Sequence, residues 1–195
     1  MIEGRHRIFV AVPLEPALRD GVRALERRLE EAGVTAARWI APGNLHLTLR
    51  FLGHISPAQL SRVVRAAHAA AAGVPPFQIT LSGVGAFPTM RRPRVIWAGI
   101  AEGASALTDL AARLDDALAR ERFPKEPRPL QPHLTLARIR NPGTMSGLEA
   151  AAASLGAVEI GRQGVTSLVV MESLLRPSGA LYVPVEEVPL SGHEK

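Results

Sequence analysis

Two tetrapeptides in this sequence carry residues that can move protons. His46-Leu47-Thr48-Leu49 recurs as His133-Leu134-Thr135-Leu136. From composition, one His-Leu-Thr-Leu is expected about 0.004 times in such a chain, and two with odds of roughly one in a hundred thousand. Side chains alternate faces along a strand, so His46 and Thr48 share one face and Leu47 and Leu49 the other. The second copy repeats the pattern. The leucines belong in a core. The polar face must meet water or a ligand, because a buried polar group without a partner costs about 1–3 kcal/mol. Imidazole titrates near neutrality, so one histidine can serve as general base while the other, protonated, serves as general acid. A threonine two residues on points the same way and can bond a phosphoryl oxygen. In-line displacement at phosphorus needs a base on the attacking side, an acid on the leaving side and donors on the equatorial oxygens. Two such strands across a groove supply that set with no metal and no cofactor. Which histidine is the acid stays open on the residues alone.

Other chemistries fit poorly. The histidines lack His-x-His or His-Glu-x-x-His spacing, and no acidic residue flanks them, so a metal site is not expected. No Gly-x-Ser-x-Gly elbow is present. Cysteine is absent, which removes thiol catalysis, disulfides and zinc ribbons. His6, His54, His68 and His193 stand outside any such pattern.

The elements that must hold these strands follow from periodicity. Strands are expected at Arg7–Val12, Arg38–Ile40, Leu45–Leu52, Phe77–Val84, Val95–Ile100 and His133–Ile139. A final antiparallel pair is expected at Val165–Leu175 and Leu181–Val188, turning at Pro177-Ser178-Gly179. Leu18, Val22, Leu25 and Leu29 mark a helix from Pro16 to Ala32. Ser56-Pro57 caps a second helix running to Ala72. Ser105–Glu121 and Thr144–Leu155 read as two more. Gly85–Arg94 reads as a basic loop carrying Phe87, and Phe123–Pro132 as a proline-rich loop. Strands and helices mix without a regular βαβ repeat, which favours an α+β fold with antiparallel sheets. The motifs lie 87 residues apart (133 − 46), one lobe's worth of chain, so two lobes can set their polar faces across a shared groove.

Composition bounds the class. The chain has 195 residues, 47% hydrophobic and 21% charged, with net charge +5 from 23 basic and 18 acidic residues. Of the basic residues only Lys125 and Lys195 are lysine. Arginine forks match phosphate oxygens bidentately and stack on bases, so a phosphate-bearing partner is in keeping with the balance. No apolar run reaches the 18 residues or so of a membrane span, and no secretory signal is visible. A cytoplasmic monomer that uses no membrane is the expectation.

With these residues in view, the chain resembles the RNA 2′,3′-cyclic phosphodiesterases, also called the 2′-5′ RNA ligase family, of the two-histidine phosphoesterase superfamily. The resemblance runs from Arg7-Ile8-Phe9-Val10-Ala11-Val12 through Asn44-Leu45-His46-Leu47-Thr48-Leu49 and Phe51-Leu52-Gly53. It continues through Arg94-Val95-Ile96-Trp97 to Pro132-His133-Leu134-Thr135-Leu136-Ala137-Arg138. It implies a single bilobal α+β domain over residues 1–195, built of two intertwined lobes. It also implies two antiparallel sheets with helices outside, pseudo-two-fold, one H-x-T-x motif per lobe facing a cleft. The implied reaction is metal-independent hydrolysis of a 2′,3′-cyclic phosphate at an RNA 3′ end to a 2′-phosphomonoester. The implied RNA partners include tRNA fragments. His46 would be the proton donor, His133 the proton acceptor, and Thr48 and Thr135 phosphoryl ligands.

The resemblance also implies a phosphate contact at Arg138. Strict alternation puts Arg138 on the leucine face, so the strand must end or bulge, or the side chain must reach round the rim. Arg50 has the parity of His46 and Thr48 but reads as a solvated strand arginine. Phe87 is a candidate platform for a terminal base, against a core phenylalanine under a loop. Phe9 is a core residue or a substrate contact lining the groove. Trp39 and Trp97 read as core or lobe-interface residues. Two rival readings keep the same residues: ligation of a 2′,3′-cyclic end to a 5′-hydroxyl, and a non-catalytic module that binds RNA ends.

Overall fold

A computed structural model describes residues 5–35, 37–140, 147–156, 158–177 and 179–192. The strands are β1 (His6–Pro13), β2 (Ala37–Trp39), β3 (His46–Ile55), β4 (Phe77–Phe87), β5 (Val95–Glu102), β6 (His133–Ile139), β7 (Glu159–Val165), β8 (Ser167–Arg176) and β9 (Gly179–Pro189). The helices are α1 (Pro16–Glu31), α2 (Pro57–Ala71), α3 (Ala104–Arg120) and α4 (Leu148–Leu155). They form two antiparallel sheets, one in the order β3-β1-β8-β9, the other β2-β6-β5-β4-β7. The fold is the expected α+β arrangement of two sheets with helices outside.

The helices follow their sequence signals. Leu18, Val22, Leu25 and Leu29 of α1 are all buried. Ser56 caps α2 in a reciprocal box: its hydroxyl accepts from the Gln59 amide, and the Gln59 side chain accepts from the Ser56 amide. Pro57 follows at the first helical position, where its missing N–H costs nothing. The packing then crosses the lobes. α1 follows β1 in the chain yet packs on β7 of the other sheet, while α2 packs on β8 and β9. Among the described residues no helix is long and apolar enough to cross a membrane.

The two sheets are built alike. β3 pairs with β1, which pairs with β8, which pairs with β9. β6 pairs with β5, which pairs with β4, which pairs with β7. Each chain of four carries one motif strand at its start, and β2 is added beside β6. The motif strands β3 and β6 touch where the sheets meet. Leu47 and Leu49 are buried in β3, and Leu134 and Leu136 in β6, while His46, Thr48, His133 and Thr135 stay partly exposed. The alternation read from the tetrapeptides is the alternation observed.

Three expectations need correction or completion. β4 runs to Phe87, so Gly85–Phe87 lie in a strand and only Pro88–Arg94 link it to β5. The extension rests on Gly85, which stands opposite Trp97 with the indole over it; a Cβ there would lie 2.1 Å from the ring. β7 is not among the expected strands. Its sequence EIGRQGV carries two glycines, which weaken any strand signal, yet it pairs along Phe77–Ser82 of β4. The start of the fourth expected helix (residues 144–146), Ser178 of the last turn and His193 lie outside the described residues.

Gly85→Ala should therefore cost about 1–3 kcal/mol by overpacking. The Trp97 ring, too large to yield in place, must move. Thermal unfolding should show the loss and tryptophan fluorescence the displacement; an unchanged melting temperature would refute the close approach.

Candidate active site

Both imidazoles are held by the same device. His46 Nδ1 lies 2.7 Å from the carbonyl oxygen of Asn44, and His133 Nδ1 lies 2.7 Å from that of Gln131. A carbonyl oxygen only accepts, so each Nδ1 carries the hydrogen and each Nε2 is left to exchange protons. In both copies the carbonyl belongs to the residue two before the histidine, where the chain enters its strand. The pairing extends to the aromatic surroundings. Phe9 and Tyr182 flank His46, with ring centroids 4.8 and 5.1 Å away. Phe87 and Trp97 flank His133 at 5.1 and 6.3 Å.

A second shared device completes the face. In the β1–β3 ladder the register skips Leu49, with Ala11 opposite Thr48 and Val10 opposite Arg50. In the β5–β6 ladder it skips Leu136, with Trp97 opposite Thr135 and Ile96 opposite Ala137. A bulge thus falls on the fourth residue of each tetrapeptide. It reverses the alternation and turns the fifth residue after each histidine, Phe51 or Arg138, into the cleft. This resolves the parity of Arg138: the strand bulges.

The cleft encloses about 370 Å³ and brings together His46, Thr48, His133, Thr135, Arg138 and Phe9, all expected there. It also gathers Arg7, Phe51, Tyr182 and Asn44, to which the sequence reading assigns no role in the site. Two guanidiniums line it, Arg7 and Arg138, and no carboxylate does. An anion is the partner that this wall suits. Arg7 donates to Ser173 Oγ at 2.7 Å and lies over the Phe51 ring, 4.7 Å from its centroid. Tyr182 arrives because the first sheet curls: Asn44, at the entry to β3, donates from Nδ2 to the Ala180 carbonyl of β9 at 2.8 Å, although β3 and β9 are opposite edges. Phe87 lies beside this cleft, in a cavity of about 690 Å³ that shares Thr48, Phe51 and His133 with it. Among the described residues, no three His, Asp or Glu side chains gather as a cation site.

Arg50 is corrected by the structure. It is 8% exposed rather than solvated. Its guanidinium donates to Glu126 and, at 2.6 Å, to the Pro124 carbonyl, with Asp115 3.5 Å away. It therefore ties the proline-rich segment to β3, and Gln131 in that segment supplies the carbonyl that orients His133. His6 and His68 meet Glu172 and Glu186 on the surface.

Burial pushes the His46 pKa below its ordinary value; the Asn44 hydrogen bond opposes this and the Arg138 charge adds to it. His46 is thus neutral in the empty cleft near pH 7. An anion beside it favours the imidazolium, so anion binding and His46 protonation strengthen each other. NMR titration of the His46 ring should give a midpoint below 6.5, its ordinary value, in the free protein and a higher one with inorganic phosphate. A free-protein midpoint at or above that value, or no response to phosphate, would contradict this account.

Comparison with known proteins identifies the family. The family model described as LigT-like phosphoesterase matches residues 12–97 and 99–182. An RNA 2′,3′-cyclic phosphodiesterase of Methanothermobacter thermautotrophicus is 33% identical over 180 residues, covering 92% of this chain and 96% of its own. A solved protein of Thermus thermophilus superposes with a TM-score of 0.78 at 29% identity, covering 96% of this chain and all of the other. E. coli LigT complexed with 3′-AMP gives a TM-score of 0.73 at 27% identity, with 96% and 99% coverage. A match over most of the length, and a relative above 30% identity spanning nearly the whole of both chains, show that this chain belongs to the LigT-like phosphoesterases of the two-histidine superfamily.

Proposed function

We propose that this chain hydrolyses 2′,3′-cyclic phosphate at RNA 3′ ends and leaves a 2′-phosphomonoester. The observation that carries the reading is the pair of imidazoles, each with its Nε2 left free, in a cleft lined by two guanidiniums and no carboxylate. His133 Nε2 takes a proton from water as its oxygen attacks phosphorus in line with O3′. The P–O3′ bond breaks, and protonated His46 gives its proton to O3′. Thr48 and Thr135 hydroxyls donate to the non-bridging oxygens, and Arg138 balances their charge. The cyclic phosphodiester itself raises the His46 pKa from its depressed value, so substrate binding arms the acid. The named relatives support the substrate class. Phe87 and the 690 Å³ cavity beside it are suited to the terminal base. There Arg50 and Lys125 are already matched by acidic partners, and Phe51, Phe87 and Leu130 offer apolar surface. One chain supplies both histidines and both guanidiniums, so a monomer suffices.

The same residues run the reverse chemistry, joining a cyclic end to a 5′-hydroxyl, because a catalyst speeds both directions. Products formed with and without a concentrated 5′-hydroxyl acceptor separate the two. The depressed His46 pKa in the empty cleft favours a second assignment, with His46 as base and His133 as acid.

Short RNA ending in a 2′,3′-cyclic phosphate, incubated with EDTA and followed by phosphorus NMR, should yield a 2′-phosphate. A 3′-phosphate would mean that O2′ leaves instead, and an intact cyclic end would reject hydrolysis. His46→Ala and His133→Ala should each slow the reaction by at least about 10²-fold. An aryl cyclic phosphate, whose phenolate leaves with little help, distinguishes the roles. It should largely restore His46→Ala and leave His133→Ala slow; the opposite pattern would exchange acid and base.

A further inference from the structure

Arg138 faces two spaces. It lines the catalytic cleft, and it also lines a shallow hollow of about 430 Å³ with Thr35, Ala37, Arg38 and Arg140. The hollow therefore begins where the cleft ends. Arg38 on β2 stands directly opposite Arg138 on β6 in the ladder. Directly opposed like charges weaken a strand pair, so folding alone does not favour this placement. None of Arg38, Arg138 and Arg140 takes part in the ion pairs found among the described residues. Other arginines do take acidic partners: Arg50 pairs with Glu126, Arg65 with Glu121 and Arg162 with Glu159.

The track also spans both sheets. A Cβ on Gly179 would lie 3.2 Å from Arg38 Nη2, so the Arg38 guanidinium reaches the β8–β9 turn. Arg176 stands opposite Gly179 in that hairpin and adds a further positive charge beside the turn that Arg38 reaches. Arg138 and Arg140 lie two residues apart, about 7 Å along an extended chain, comparable to the spacing of neighbouring phosphates in an extended strand. The other exit from the cleft is the 690 Å³ cavity, whose wall sets Asp115, Asp116 and Glu126 against Arg50, Lys125 and Arg128. Charges there balance, whereas the hollow carries arginines and no carboxylate and so invites a polyanion.

We propose that Arg38, Arg138 and Arg140 form a backbone track for the RNA strand upstream of the reacting end. It binds the phosphodiesters that precede the terminal nucleotide. This rests on the hydrolytic reading above and deepens it, because it makes the preferred substrate an RNA chain rather than a mononucleotide. The contact is to phosphate, so it adds affinity without sequence preference.

The test uses Arg38→Ala/Arg140→Ala, which leaves Arg138 in the cleft. With an oligoribonucleotide ending in a 2′,3′-cyclic phosphate, kcat/KM should fall about tenfold through KM, with kcat kept. The salt slope of log kcat/KM should shrink by about 1.4, at about 0.7 for each of two single-strand phosphate contacts. With a mononucleoside 2′,3′-cyclic phosphate the variant should match the parent. Equal losses on both substrates, or no loss on the oligonucleotide, would overturn the track. Fluorescence anisotropy with a labelled oligonucleotide ending in a 2′-phosphate needs no turnover. It should show the same weakening even if the parent hydrolyses neither substrate, which would sink the hydrolytic reading and spare the track. Unchanged oligonucleotide binding with lost binding to phosphatidylserine vesicles would assign the arginines to a lipid surface and reject the proposal.

Discussion

Two hydrogen bonds, from His46 Nδ1 to the Asn44 carbonyl and from His133 Nδ1 to the Gln131 carbonyl, fix what this molecule can do. Each selects a tautomer and an orientation at once. With Nδ1 engaged, each Nε2 has one role left, to hold or release a proton toward the cleft. The surrounding structure serves these two contacts. A buried leucine on either side of each threonine pins the strand, and the residues before each histidine set the carbonyl. Arg50, from the opposite sheet, holds the segment that contributes the second one. A pair of imidazoles free to rotate would lose most of the advantage of position.

The repeat is structural before it is chemical. Both copies place a bulge on their last leucine, and both turn the fifth residue after the histidine inward. Symmetry ends at that residue. The first copy delivers Phe51, an apolar ring stacked under Arg7; the second delivers Arg138, a full positive charge. The burial of His46 adds to the inequality. Two motifs of identical sequence therefore present unlike surroundings to the cleft.

Much of this is legible in the residues. The tetrapeptide is improbable by composition, and strand alternation alone places its four polar groups on one face. The helix caps and apolar spacings find α1, α2 and α3 nearly to the residue. Alternation does not place Arg138, because a bulge has no sequence mark here. Tyr182 cannot be found from local pattern; it reaches His46 only through the curl that brings β9 back toward β3. Arg50 looks solvated in the sequence because its partners, Asp115 and Glu126, lie in distant stretches of the chain. β7 escapes because Gly161 and Gly164 dilute its strand character, while its pairing with β4 is a tertiary gain.

The strand order of the first sheet has a consequence for the order of events in synthesis. β3 carries His46 and has one ladder partner, β1; β1 in turn leans on β8, and β8 on β9. The sheet that presents His46 is thus closed by residues made some 120 positions later (170 − 50, from Val10 pairing both Arg50 and Val170). A growing chain that has already emerged through both motifs still lacks the strands that seat the first. Such long-range pairing is slow to form, since loop closure is settled before the contacts repay it. The seat of His46 is therefore complete only once β8 and β9 have paired.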